Sequence, residues 1–227
     1  REQAHALGYT VVDASTVVAT HLNHVILSYA SELLGRQETQ QLLDHIARES
    51  PKLVEDLGPK NLSLATLQRV LQGLLEESVN IRDMRTIVEA LAEFAPRTQE
   101  PAELVARVRV ALGRSIVQQL FPGSGEIQVV ALEPQLERLL QQSVASVGAD
   151  GGGFEPGLAD TLLRETALAA VRQEEAGLPA VLLVPAPLRW VLSRFLRRAV
   201  PQLKVLSHGE VPDNRTIKVT AIIGGAK

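Results

Sequence analysis

The sequence predicts an α+β chain: a mainly helical subdomain followed by a small α/β subdomain on a four-stranded sheet. Three observations carry this. From residue 37 to about 120, apolar residues recur at steps of three and four between Pro and Gly breaks. After "FPGSG" (121–125) the grammar changes, and short β-rich runs alternate with helical ones in the order β-α-α-β-α-β-β. One of these runs, "AVLLV" (180–184), is continuously apolar, as a strand covered on both faces must be.

Tyr9–Val12 reads as a lone strand. Asp13 is placed to cap a helix running to Leu34, with Gly35 as its C-cap. Val18, Leu22, Val25, Ile26, Tyr29 and Leu33 form the apolar stripe of this helix and are expected to face the core. One strand and one helix cannot bury their own faces, so residues 1–35 are expected to be the tail of a larger, truncated first subdomain.

The helical subdomain spans 36–121. "QETQQLLDHIARE" ends before Pro51, "PKLVEDL" is a short helical turn closed by "GPKN", and Ser63 caps "LATLQRVLQGLLEE". Asn80 or Arg82 is expected to open "DMRTIVEALAEFA", which Pro96 stops. Thr98 is expected to cap "QEPAELVARVRVALGRSIVQQL", whose proline sits where its missing N–H costs little.

The α/β subdomain spans 122–227. "EIQVVAL" is a strand, "PQLERLLQQSVASV" a helix, "GADGGG" a surface loop and "PGLADTLLRETALAAVRQEEA" a helix ended by Gly177. Past "AVLLV" come the helix "PLRWVLSRFLRRAV", the strand "LKVLS" and the last strand "RTIKVTAIIG".

Composition narrows the function. The chain is 45% apolar and only 3% aromatic, so the core is built from Leu, Val, Ile and Ala. It has no cysteine, which excludes disulfides, thiolate-bound metals and a thiol nucleophile and suits a reducing compartment. A net charge of −3 gives no global bias toward nucleic acid or membrane. No apolar run approaches the ~20 residues of a membrane-spanning helix.

Several motifs have bland and functional readings. The helix pair at 64–77 and 83–95 has helix-turn-helix spacing. Across 62–97, however, Arg69, Arg82, Arg85 and Arg97 face Glu76, Glu77, Asp83, Glu89 and Glu93: four against five, the wrong sign for a phosphate-binding surface. Plain helix packing is the expectation, with no nucleic-acid partner. "GADGGGFEPG" follows no strand and lacks the Lys-Ser/Thr of a phosphate loop. His21 and His24 have a spacing that zinc ligands use, without acidic partners nearby. Ser207-His208 follows a strand but lacks the G-x-S-x-G elbow of an α/β hydrolase. No cofactor motif and no catalytic constellation appear, so the chain is not expected to be an enzyme. The stretch 176–209 carries Arg189, Arg194, Arg197, Arg198 and Lys204 and no acid. It reads either as a solvated helix back or as an electrostatic docking patch for an acidic partner or anionic membrane surface.

The opening helix is more informative. From Ala14 to Ser31 there is no charged side chain, in a chain that is 22% charged. Thr16, Thr20, Asn23 and His24 line its polar face. Such a face can be covered without stranding a buried ion. It is expected to be a docking surface, covered permanently or intermittently.

The strings "GYTVVDASTVVATHL", "VNIRDMRTI", "ALGRSIVQQ", "LSRFLRRAVPQL" and "DNRTIKVTAIIGG" closely resemble the cytoplasmic portion of the type III secretion export-gate family, in the wording of its flagellar branch. A homologous export-gate protein of a virulence injectisome is the alternative within that family. The resemblance implies a location on the cytoplasmic side of the bacterial inner membrane, below membrane spans that belong to the full-length protein. It implies self-association into a ring in the full-length protein, and no cofactor. The implied partners are flagellar export chaperones with their substrates, and other export-apparatus proteins, namely the ATPase complex and the substrate-specificity switch protein. The family's chaperone-docking threonine, in a V-x-T-H-L stretch, matches Thr20.

Overall fold

The computed structural model describes residues 11–123, 125–147 and 154–224. The helical layer holds α1 (Ala14–Ser28), α2 (Ala30–Leu33), α3 (Arg36–Glu49), α4 (Pro51–Asn61), α5 (Leu64–Glu76), α6 (Met84–Phe94), α7 (Pro101–Ala111) and α8 (Gly113–Leu120). Its core follows the helical period. Leu67, Val70, Leu71 and Leu74 of α5 pack with Ile87, Val88 and Leu91 of α6 and with Leu104, Val105 and Val108 of α7, all buried. At Gly73 a Cβ would come within 3.0 Å of Val105 Cγ2, so α5 and α7 approach closely.

The caps hold some expectations and correct others. Asp13 accepts from Thr16 N at 2.8 Å and Ser63 from Thr66 N at 3.0 Å, as N-caps do. Asp83, not Asn80 or Arg82, opens α6, accepting from Thr86 N at 3.1 Å. The Asn80 side chain instead closes the preceding turn by accepting from Arg82 N. Glu100, not Thr98, precedes α7, and the long helix expected there breaks at Leu112. "GPKN" does not end α4: Gly58 kinks it at φ +42°, and the helix resumes to Asn61.

The opening helix is also shorter than expected. It stops at Ser28, with a break at Tyr29 before the single turn α2. Gly35 is extended (φ −84°, ψ −176°) and precedes α3, so it is not a left-handed C-cap. The orphan carbonyl of Leu34 is satisfied by α5, whose Gln68 and Gln72 amides donate to it at 3.2 and 2.9 Å. The expected strand at Tyr9–Val12 lies mostly outside the described residues, and Val11 and Val12 belong to no regular element.

The second half supplies β1 (Ile127–Leu132), α9 (Pro134–Val147), α10 (Pro156–Glu175), β2 (Val181–Val184), α11 (Ala186–Leu196), β3 (Lys204–Ser207), a 3₁₀ turn (His208–Glu210) and β4 (Ile217–Ile223). The four strands lie in the order β3-β2-β1-β4, every pair parallel. Gly177, at φ +70°, closes α10 as expected. The "GADGGG" loop lies outside the described residues; just beyond it, Phe154 is buried edge-on against Phe195, with ring centroids 5.1 Å apart.

Both faces of the sheet are covered. Ile127, Val129, Val181, Leu183 and Leu206 join the core of the helical layer. Val130, Leu132, Leu182, Val184 and Val205 face a second core with Leu140, Leu162, Leu188 and Leu192 from α9, α10 and α11. The molecule is therefore three layers, and one core is shared by the helical layer and the facing side of the sheet, with Phe121 and Ile127 both in it. On β4 a bulge falls at Thr220, between the Val129↔Val219 and Val130↔Ala221 pairs. Its hydroxyl donates to Val129 O at 3.0 Å and accepts from the buried Gln173 at 2.7 Å.

Gly113 is the tightest point between the helical layer and the β3–β4 connection. A Cβ there would lie 2.4 Å from the backbone carbonyl oxygen of Glu210. Gly113→Ala is expected to lower unfolding free energy by about 1–3 kcal/mol, as overpacking does. Gly209→Ala, whose added Cβ meets Val110 at an ordinary 3.6 Å, is expected to do less. Denaturant melts of both variants check this.

Candidate functional site

Two features stand out. The first is the opening helix, in which no residue is buried. Thr16, Thr20, Asn23 and His24 are exposed, in keeping with their polar face. The opposite stripe is exposed too: Val18 by 66%, Leu22 by 56% and Leu33 by 60%. This corrects the expectation that the stripe faces the core. α1–α2 is anchored at its far end, where Leu34 is buried and held by α5, and the described residues put no layer over the rest. The Thr16 hydroxyl donates to Asp13 Oδ2 at 2.7 Å and is thus engaged in the cap. Hydrogen bonds from the side chains of Ser15 and Thr16 and from Thr16 N–H hold the Asp13 carboxyl well below the usual carboxylate range. His21 and His24 are exposed, and the described residues hold no cluster of three or more His, Asp or Glu placed to bind a metal.

The second feature was not anticipated. α5 ends in a Schellman turn: Val79 N donates to Leu74 O and Ser78 N to Leu75 O, both at 2.9 Å, with Ser78 left-handed at φ +60°. This turn aims Glu77 inward, where one oxygen, Oε2, accepts from Arg109 of α7 and from Arg189 of α11, each at 2.6 Å. Arg109 also donates to Glu210 Oε2 at 2.6 Å, and Arg189 Nε lies 3.6 Å from Glu210 Oε1. All four side chains are at most 7% exposed.

Arg189 is therefore no part of an exposed patch. It is the largest fully buried side chain, and both readings of the basic stretch are corrected at this position. Burial pushes its guanidinium down against the pull of Glu77, whereas for Arg109 the two carboxylates outweigh burial and hold it up. Arg194, Arg197 and Arg198 are exposed, and Arg197 meets Glu76 at 3.0 Å on the surface.

Ser207 and His208 also find a structural role. The Ser207 hydroxyl donates to Glu210 Oε1 at 3.0 Å in a capping box around the 3₁₀ turn, while His208 is exposed. The S-x-x-E spacing 207–210 is a sequence signal for that box. The charge cluster has no comparable signal, because Glu77 lies 32 residues from Arg109 and 112 from Arg189.

This fold, a helical layer on a fully parallel four-stranded sheet backed by three helices, is shared with solved type III secretion structures, among them the nonameric EscV cytosolic domain, which matches at a TM-score of 0.76 and 26% identity over 92% of this chain and 61% of that one. A chain of the Chlamydia pneumoniae CdsV and CdsO complex matches with a TM-score of 0.88 at 23% identity, over 98% of this chain and 66% of that one. Nonameric EPEC SctV-C matches at 0.80 and 26% identity, over 98% of this chain and 67% of that one. The chain belongs to the FHIPEP family, whose profile matches residues 1–216. It is 61% identical to flagellar biosynthesis protein FlhA of Escherichia coli K12 over 99% of its length, and 60% identical to FlhA of Yersinia enterocolitica over all of it. In both cases it spans 32% of the relative's length. Among the described residues no helix is long and apolar enough to cross a membrane.

Glu77→Gln is expected to cost about 3–5 kcal/mol in chemical unfolding, because it leaves two buried guanidiniums short of a counter-charge. Glu76→Gln, which breaks only the surface pair, is expected to cost under about 1 kcal/mol. At the other end of the layer, the first turn of α1 is expected to stay ordered above the ordinary aspartate range. It frays as pH falls through the lowered Asp13 value, since a depressed carboxylate stabilises only while ionised. Carbon chemical shifts of Thr16–Ala19 would report this, and Asp13→Ala should fray the turn at every pH.

Proposed function

We propose that this chain is the docking and ring-forming part of a flagellar protein export gate, with no catalysis of its own. In this reading the subdomains are residues 1–35, 36–121 and 122–227. The observation that carries the docking role is the exposed, charge-free face of α1, with Thr20 at its centre beside Thr16, Asn23 and His24. Identity near 60% with proteins named flagellar biosynthesis protein FlhA favours the flagellar branch over an injectisome homologue, since the matched secretion-system structures lie at 22–28%.

In this reading the face receives flagellar export chaperones with their substrates on the cytoplasmic side of the inner membrane. The nonameric assembly of SctV-C supports ring formation by the full-length protein, and the CdsV–CdsO complex supports contact with a further export-apparatus protein such as a component of the ATPase complex or the specificity switch. The apolar stripe on the far side of α1 has the composition of a core face and would pack within the first subdomain, leaving the polar face for partners. Arg194, Arg197 and Arg198 form a secondary electrostatic surface.

Thr20→Asp, in the complete cytoplasmic region, places a charge at the centre of the face. Folding stability is expected to stay within about 1 kcal/mol of the parent, as for ordinary surface changes, while calorimetric binding of a flagellar chaperone–substrate complex falls sharply. Unchanged affinity at unchanged stability would remove this face from the docking site. If the arginine surface takes part, reversing Arg194, Arg197 and Arg198 to Glu should weaken binding and flatten its salt dependence.

A further inference from the structure

We propose that the cleft between the C-terminal end of α5 and β3 is a carboxylate-binding site, taking an acidic side chain presented by a partner protein. The cleft has a volume of about 240 Å³ and is lined by Ser28, Ser78, Arg109, Ser193, Arg197 and Lys204, together with apolar side chains from α8 and β3. It is a different surface from the polar face of α1, reaching that helix only at its last residue, Ser28.

Three observations point to an anion. First, the charges at and just behind the cleft do not balance: Arg109, Arg189, Arg197 and Lys204 stand against Glu76, Glu77 and Glu210, four cations to three carboxylates. The carboxylates are already engaged, Glu77 by Arg109 and Arg189, Glu76 by Arg197 and Glu210 by Arg109. Second, the site is rich in donors and short of acceptors. Arg109, 3% exposed and lining the cleft, keeps Nε without a hydrogen-bond partner, as does Nη2 of the adjoining Arg189. Third, the Lys204 ammonium meets one neutral partner, Ser78 Oγ at 3.1 Å. Burial pushes its pKa down, and Arg109 and Arg197 push the same way against the pull of Glu77. A half-buried ammonium whose hydrogen-bond partner among the described residues is a hydroxyl gains from a carboxylate, which would form charge-assisted bonds with Lys204 and the neighbouring guanidiniums.

The occupant is placed on a protein partner because Ser28 of α1 lines the cleft and Ile116, Leu120, Leu203 and Leu206 supply apolar wall, which suits a side chain arriving with its backbone. A free small carboxylate shares the chemistry, and the experiment separates the two. The folded chain, with lysine labelled at Cε, is titrated at constant ionic strength with acetyl-Gly-Asp-Glu-Asp-Gly-amide, with its Asn/Gln counterpart and with citrate.

The expected result is saturable movement of the Lys204 resonance by the acidic peptide and an upward shift of its titration, with no effect of the amide peptide and weaker binding of citrate. Lys204→Met is expected to weaken peptide binding by about tenfold, the worth of one charge-assisted contact. Gln119→Glu, at an exposed lining position, should weaken it as well and serves if the methionine variant folds poorly. Citrate binding tighter than the peptide would overturn the assignment to a protein partner. The site itself is overturned if no probe moves Lys204 saturably, or if Lys204→Met and Gln119→Glu bind the peptide as the parent does.

Discussion

One carboxylate oxygen ties the architecture together. Glu77 Oε2 bridges α7 of the helical layer and α11 from behind the sheet, at 2.6 Å to each guanidinium, while Glu210 answers from the turn after β3. In a nearly dry setting such a set is worth keeping only when complete, since any one member left alone is a buried charge without compensation. The Schellman turn that aims Glu77 inward therefore matters more than its surface position suggests. It carries a left-handed serine, an arrangement that costs about 1–2 kcal/mol relative to a helical one.

The cluster also explains an asymmetry between the two edges of the sheet. At the β3 edge, Arg109 reaches Val205 O at 3.4 Å and Ser207 is tied to Glu210, so charged side chains close the layers around the strand. At the β4 edge the charged ties are peripheral: Gly224 N donates to Glu165 Oε2 of α10 at 2.5 Å just past the strand, and Lys218 meets Glu126 at 4.0 Å on the surface. Ile217, Val219 and Ile222 are 40–59% exposed there, and the strand is bent by its bulge instead. A bulge and a nearby lysine, Lys218, are common ways of discouraging an edge from pairing with another chain.

Much of the self-contained local chemistry was legible in the sequence, though the Gly35 cap, the Thr98 cap and the GPKN stop were not. The stripes of α5 and α6, the caps at Asp13 and Ser63, the stop at Gly177 and the buried strand 181–184 each depend on residues a few positions apart. The start of α6 was misread because Asn80 has the chemistry of a cap and uses it on the turn before, leaving the true cap to Asp83. Arg189 looked solvated because its carboxylates come from distant parts of the chain. The stripe of α1 was read as core because periodicity reports that a face is apolar without reporting what covers it. Thr20 and its neighbours could be singled out for the opposite reason: a long run without charge on a helix is visible without knowing the fold.

The strand order has a consequence for synthesis. β1 sits inside the sheet between β2 and β4, yet β4 follows the other three strands in the chain, and its first pairing joins residues 127 and 217. While the chain emerges from the ribosome, the helical layer, β1, β2 and β3 are all available before the partner for the far side of β1. At about 5–20 residues per second, that side stays unpaired for roughly 5–20 s. Nascent chains of this protein thus carry an open, apolar strand edge until β4 has followed. Truncations within the last few residues of β4 would make that transient state permanent.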